Sequence, residues 1–301
     1  MRVIPYVQTS VFVDENYLFG GNQLATFWDA ISNKGITSEE MQGIAIEMGF
    51  SESTFIGSPT MRGCSSKVRI FTPGRELPFA GHPTLGTAFV LKHREIVKKS
   101  ELKTILELGI GPITVEYLSE DEIRMTQPSP SFIGNVKDKE RIAEVIGVEP
   151  DEISDAAPIQ IVTTGVPFII VPMRDIKAVQ KAIPYPELIT TNLKDLATQE
   201  IIIFSTDTLN KQNDVHARTF APSAGVLEDA ATGSAAGPLA AYIERYNLLK
   251  GHEFGDPIKI EQGFEIKRPS KLIAEIPHES MSEILVTGKV RLMAEGNFYL
   301  K

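Results

Sequence analysis

Apolar and polar positions set out a series of short elements from the first residue onward. Val3, Pro5, Val7, Thr9, Val11 and Val13 share one parity, with Ile4, Tyr6 and Phe12 on the other, which predicts a strand covered on both faces. A Gly20-Gly21-Asn22 loop precedes apolar Leu24, Ala25 and Phe27. Met41, Ile44, Ala45 and Met48 then recur at helical spacing behind Ser38-Glu39-Glu40. This predicts a helix capped by Ser38, with acids in its first turn and an end at Gly49. Residues 51 to 56 read as a loop and strand, and 67 to 71 as a further strand. Pro83 suits the first turn of a helix running to about Lys92.

Short strands continue at 104 to 108, 113 to 117 and 123 to 126, with Gly109 to Pro112 as a hairpin-like break. Gln127-Pro128-Ser129-Pro130-Ser131 is the best linker candidate. In the second half, helices are expected at 137 to 146, 176 to 182, within 186 to 196 and at 232 to 247. Strands are expected at 159 to 163, 168 to 171, 201 to 205 and 215 to 220. Further strands fall at 257 to 261, 264 to 267, 272 to 276 and 283 to 287, leading to 289 to 295. This order lacks the regular strand-helix alternation of a parallel doubly wound sheet. We read an α+β chain of two pseudo-symmetric domains, each a curved, mostly antiparallel sheet around a central apolar helix. The expected halves are 1 to 126 and 127 to 301, leaving open a return of the last strand to the N-terminal half. The Ala- and Gly-rich run at 235 to 241 fits a helix enclosed on all sides.

Composition narrows the function classes. The chain has 301 residues, 42% hydrophobic and 23% charged, a globular composition with material for real cores. A net charge of −9 argues against a nucleic-acid partner, which would require a basic surface. The one cysteine, Cys64, excludes an intramolecular disulfide and a thiolate metal cluster, and it is consistent with a cytoplasmic setting. The N-terminus does not read as a secretory signal, and no stretch approaches the length of a membrane span. The five histidines are dispersed without ligand spacing, so no metal is expected. Phosphate-loop, metalloprotease, dinucleotide-fold and nucleophile-elbow motifs are all missing.

One pattern occurs twice. Residues 71 to 91 (FTPGRELPFAGHPTLGTAFVL) and 220 to 243 (FAPSAGVLEDAATGSAAGPLAAYI) both run from Phe-x-Pro through a polar turn to Gly-His or Gly-Ser and a helix of small residues. Phe71 and Phe220 stand 149 residues apart, about half the chain, so the unit reads as a duplication whose matching loops form one site. Four polar groups stand out here. His82 follows Gly81 at a helix start, where backbone amides point at any bound anion. A core histidine satisfied by a backbone carbonyl is the plainer alternative. Asp229 and Ser234 flank Ala230 to Gly233, where helix capping would account equally well for them. Glu52 lies between two serines before an apolar strand. In an apolar cleft its pKa would rise toward the range of a proton shuttle, whereas on an open loop it would be a solvated glutamate.

With these residues in view, the chain resembles the PhzF-like phenazine-biosynthesis family, whose members share the diaminopimelate epimerase-like fold. The matching segments are 19 to 26 (FGGNQLAT), 50 to 56 (FSESTFI), 69 to 88, 216 to 243 and 260 to 272 (IEQGFEIKRPSKL). Gln23 and Ala230 depart from the family's usual prolines. The resemblance implies a cofactor-free isomerase that relocates a proton on a small carboxylate-bearing metabolite in the cleft between the halves. It implies Glu52 as general acid/base, with His82 and Asp229 as further catalytic residues that orient polar substituents. Gly81, Gly233, Ser234 and Asn22 would bind substrate. It is compatible with a homodimer. Two alternatives stand beside this one: a His82/Asp229 two-base epimerase of an amino acid derivative, and a small-molecule-binding relative without activity. Racemisation by paired thiols is excluded, because Cys64 lies upstream of the first motif.

Overall fold

A computed structural model of the chain describes residues 1 to 28 and 35 to 300. Two compact units emerge from its contacts. The first is Met1–Thr126 with Thr287–Lys301, the second Gln127–Val286.

The first unit contains β1 (Arg2–Val11), β2 (Asn22–Phe27), α1 (Ser38–Met48), β3 (Glu52–Gly57), β4 (Ser66–Phe71), β5 (Glu76–Leu77), α2 (Gly81–His93), β6 (Lys103–Leu108), β7 (Gly111–Tyr117) and β8 (Glu122–Pro128). Strand pairing runs β1–β2 antiparallel, β2–β3 parallel, β3–β4 and β4–β5 antiparallel, β4–β6 parallel and β6–β7 antiparallel. Helix α2 packs against β1, β2, β3, β6 and β7. Ten of its thirteen residues are buried, so it has no polar face to give to water. Gly86 lets β1 and β2 close on it: a Cβ there would lie 2.5 Å from Leu24 Cδ2. Helix α1 lies outside the sheet over Phe27, Phe55 and Phe71, and each such buried side chain contributes about 1.5–3 kcal/mol.

The second unit contains β9 (Ser131–Asn135), α3 (Lys139–Ile146), β10 (Gln160–Thr163), β11 (Pro167–Pro172), α4 (Ile176–Lys181), α5 (Pro186–Asn192), β12 (Ile201–Ser205), β13 (Val215–Ala221), β14 (Val226–Asp229), α6 (Gly233–Tyr246), β15 (Ile258–Gln262) and β16 (Ser270–Glu275). The last strand, β17 (Glu283–Leu300), begins here and continues into the first unit, where it pairs with β1. From β10 the pairings repeat the order of the first unit. They run β10–β11 antiparallel, β11–β12 parallel, β12–β13 and β13–β14 antiparallel, β13–β15 parallel and β15–β16 antiparallel. The buried helix α6 takes the place of α2, and the fold class is the α+β arrangement expected from the sequence. Among the described residues no helix is long and apolar enough to cross a membrane.

Local expectations are corrected at five places. Thr37, not Ser38, caps α1, in a reciprocal box with Glu40. Gln127 is no linker residue: it is fully buried in β8, donates to Gly233 O and accepts from Thr164. Residues 264 to 267 form a turn rather than a strand, because Gly263 (φ 80°) and Lys267 (φ 59°) both take left-handed backbone. The strand expected at 283 to 287 does not stop there but runs on to Leu300, 18 residues in all. Finally, the approach to the second helix contains strand β14, which no alternation in VLED announces.

Candidate active site

In the first unit, sequence neighbours and distant residues meet at the start of α2. Glu52 is the first residue of β3, and parallel pairing sets it opposite Leu24. His82 is the second residue of α2 and is 2% exposed, against 9% for Glu52. Its Nε2 lies 3.4 Å from Glu52 Oε2, outside hydrogen-bond geometry. Asn22, at the start of β2, reaches His82 Nδ1 at 3.0 Å, and Ser51 Oγ donates to Asn22 Oδ1 at 2.8 Å. Because Ser51 takes the amide oxygen, the Asn22 amide group donates to Nδ1. That makes Nδ1 an acceptor and leaves the ring proton on Nε2, the nitrogen nearer Glu52. Behind this group Thr87 Oγ1 donates to Thr54 Oγ1, and Thr54 Oγ1 to Thr26 Oγ1. The two bonds tie α2 to β3 and β2.

Electrostatics agree with a neutral imidazole. Burial pushes the His82 pKa down to about 3, and the Gln23 backbone only partly offsets that. His82 is therefore a hydrogen-bonding group at neutral pH rather than an acid. Among the described residues no side chain caps α2 at Ala80, so its first amides are not spent on a cap.

In the second unit, Asp229 ends β14 and is 8% exposed. Ser234, the second residue of α6, is 7% exposed. Thr232 is the N-cap of α6, yet among the described residues no side chain caps this helix either. The Thr232 hydroxyl donates to Asp229 Oδ2 at 2.7 Å instead. Capping therefore does not explain the polar residues of this loop. Gln262, at the end of β15, binds the same loop through three hydrogen bonds.

The matching registers show which residues correspond between the units. Phe71 faces Ser53, and Phe220 faces Ile201, so Glu52 corresponds to Glu200. Ile70 faces Leu77 and Thr219 faces Asp229, so Asp229 corresponds to Leu77. The helix starts align Gly81 with Gly233, and therefore His82 with Ser234. Cys64 is remote from these positions in sequence, on the loop before β4, and burial with the nearby Glu107 raises its thiol pKa. Sequence reasoning singled out Glu52, His82, Asn22, Asp229 and Ser234 but assigned no role to Ser51, Thr232 or Gln262. The only pointer to Gln262 was its place in the segment at 260 to 272.

Comparison with known proteins places the chain in a family. A model of phenazine biosynthesis-like proteins matches residues 9–296. The chain is 34% identical over 299 residues to a trans-2,3-dihydro-3-hydroxyanthranilate isomerase of Pseudomonas aeruginosa, covering 98% of this chain and 99% of that one. The crystal structure of a PhzF-family phenazine biosynthesis protein from Bacillus anthracis superposes with a TM-score of 0.87 at 28% identity, covering all of both chains. A probable proline racemase from Agrobacterium radiobacter shares the fold, with a TM-score of 0.68 at 9% identity over 99% of this chain and 93% of that one. The chain belongs to the PhzC-PhzF family of phenazine biosynthesis-like proteins, and it is an enzyme of the isomerase kind.

Proposed function

We propose that the chain is a cofactor-free isomerase that moves a proton between carbons of a small, carboxylate-bearing metabolite, with Glu52 as the acid/base. The observation that carries this reading is the buried pair formed by Glu52 and a neutral His82 at the start of α2. A carboxylate takes a proton from carbon next to a π system, and the electron pair enters that system. The carboxylic acid so formed returns the proton to a second carbon, so one base serves both steps. His82 cannot compete for that proton at neutral pH, and its Nε2–H is left to hold a polar substituent or the glutamate itself. Asp229 and Ser234 bind polar groups of the substrate, and uncapped helix-start amides suit its carboxylate.

The relative's substrate, trans-2,3-dihydro-3-hydroxyanthranilate, is the first compound to try, in deuterated water and followed by NMR. Migration of a double bond with incorporation of one deuteron is expected. Loss of chirality at an α-carbon without such migration would instead favour the two-base epimerase. Glu52→Gln is expected to bind the substrate and to lose about 10²–10⁴-fold in kcat. Full activity in that variant would remove Glu52 from the mechanism.

A further inference from the structure

Three hydrogen bonds join Gln262 to the segment that carries Asp229. Its Nε2 donates to the Asp229 carbonyl at 2.8 Å and to Thr232 Oγ1 at 3.0 Å, and its Oε1 accepts from Thr232 N–H at 3.1 Å. Both amide protons and the amide oxygen are thus engaged by one four-residue segment. Turning the amide over would set NH2 against N–H and C=O against C=O, so its orientation is fixed by its partners. The threonine hydroxyl has a single proton. With its oxygen accepting from Gln262, that proton goes to Asp229 Oδ2. Gln262 is 1% exposed, so none of this is a surface arrangement.

The first unit supplies an internal comparison. Lys67 faces Glu107, and His216 faces Glu261, so the next residues, Leu108 and Gln262, correspond. The following glycines match too. A Cβ on Gly109 would lie 2.7 Å from Pro78 Cα, and one on Gly263 would lie 2.5 Å from Ala230 O. The same close approach of strand end to loop is therefore built in both units. At the three positions of the hydrogen-bonded set, however, the first unit has Leu77, Ala80 and Leu108 where the second has Asp229, Thr232 and Gln262. The backbone forms with an entirely apolar set, so the fold does not require the polar one. A buried polar network is tolerated only when each member is satisfied, and this one has been built complete around a single carboxylate.

We propose that Gln262 and Thr232 are positioning residues for Asp229: the Gln262 carboxamide commits the Thr232 hydroxyl proton to the Asp229 carboxylate and so holds that carboxylate in one orientation for substrate. This rests on the role given to Asp229 above. The test imports the first unit's residues. Thr232→Ala with Gln262→Leu is expected to fold, because Ala80 and Leu108 occupy the same backbone. With the dihydro-hydroxyanthranilate substrate its kcat should fall about 10²-fold, as expected when a reacting geometry is displaced by about 1 Å. KM should change by less than about threefold, and in an Asp229→Asn background the same pair should cost less than about threefold. An unchanged kcat, or an equal loss in both backgrounds, would overturn the proposal. Crystal structures of the two proteins decide the matter without turnover: the Asp229 carboxylate should leave its wild-type position in the variant. A carboxylate that stays in place overturns the proposal. If wild type turns over none of this substrate while the carboxylate does move, only the functional reading fails. Should the double variant not fold, Thr232→Val removes the hydroxyl alone at nearly constant volume and is judged by the same two measurements.

Discussion

At the scale of single residues, the behaviour of His82 follows from its partners rather than from its type. In water an imidazole titrates near neutrality, but here burial pushes the pKa down to about 3. Its ring 15N shifts should report a neutral, Nε2-protonated ring from pH 8 down to about pH 5, and a doubly protonated ring at pH 5 would contradict this. Asn22→Leu removes the donor to Nδ1, and the same spectra should then show a mixture of tautomers. The sign of the linked stability is also determined. Between 6.5 and about 3 the unfolded chain binds a proton at this position and the folded chain does not, so the His82 contribution is complete above pH 6.5 and is lost on acidification. The identity of the residue and its helix-start setting were legible in the sequence. Its tautomer was not, because the groups that set it, Ser51 and Asn22, are 31 and 60 residues away.

At the scale of elements, the two buried helices are where sequence and packing agree best. Small residues and glycines in both copies of the repeated segment predicted enclosed helices, and α2 and α6 are enclosed. What supports them was not legible. Gly237 of α6 is tied to a residue 110 positions earlier: a Cβ there would lie 2.0 Å from Gln127 Oε1. Gln127 cannot simply move, since its amide holds Gly233 O and the Thr164 hydroxyl. Gly237→Ala should therefore cost about 1–3 kcal/mol in urea unfolding. Gly43→Ala, exposed on α1 with nothing within 4 Å of the added methyl, should instead stabilise by about 0.5–1 kcal/mol. Equal effects at both positions would show that helix propensity, not packing, decides. The misplaced elements have a common cause. Strand β14 and the turn at 264 to 267 are set by pairing and by left-handed backbone at Gly263 and Lys267, neither of which leaves a hydrophobic period.

At the scale of the whole molecule, duplication separates what the fold requires from what the chemistry adds. Glu107 and Glu261 correspond, and each ties down the loop before its neighbouring strand. Glu107 accepts from Thr60 and Met61, and Glu261 from Leu209, Asn210 and Asn213. Each also meets a cation, Lys67 in one unit and His216 in the other. A device present in both units belongs to the scaffold. In the second unit it is fully buried, and His216 contacts Glu261 and Glu265 through its two ring nitrogens, each at 2.9 Å. Burial alone would lower the His216 pKa, but the two carboxylates outweigh it and raise the value to about 9. With the folded pKa above the unfolded 6.5, this contribution to stability is complete below pH 6.5 and is lost as pH rises through about 9. The unfolding midpoint of the wild type should fall across that window more steeply than that of His216→Asn. Parallel curves would show that the histidine is not charged in the folded protein.

The sequence by itself determined the α+β class, the duplication, the two enclosed helices and the residue types available for proton transfer. All of these are written in local periods or in a motif that repeats. Tertiary structure alone decided which polar residues belong together. Glu52 and His82 meet because parallel pairing brings β3 beside β2 at the start of α2, and Gln262 reaches Asp229 because β15 lies beside β13. It also showed that the polar set around Asp229 has an apolar counterpart in the other unit. That correspondence runs through strand register, which no spacing along the chain records.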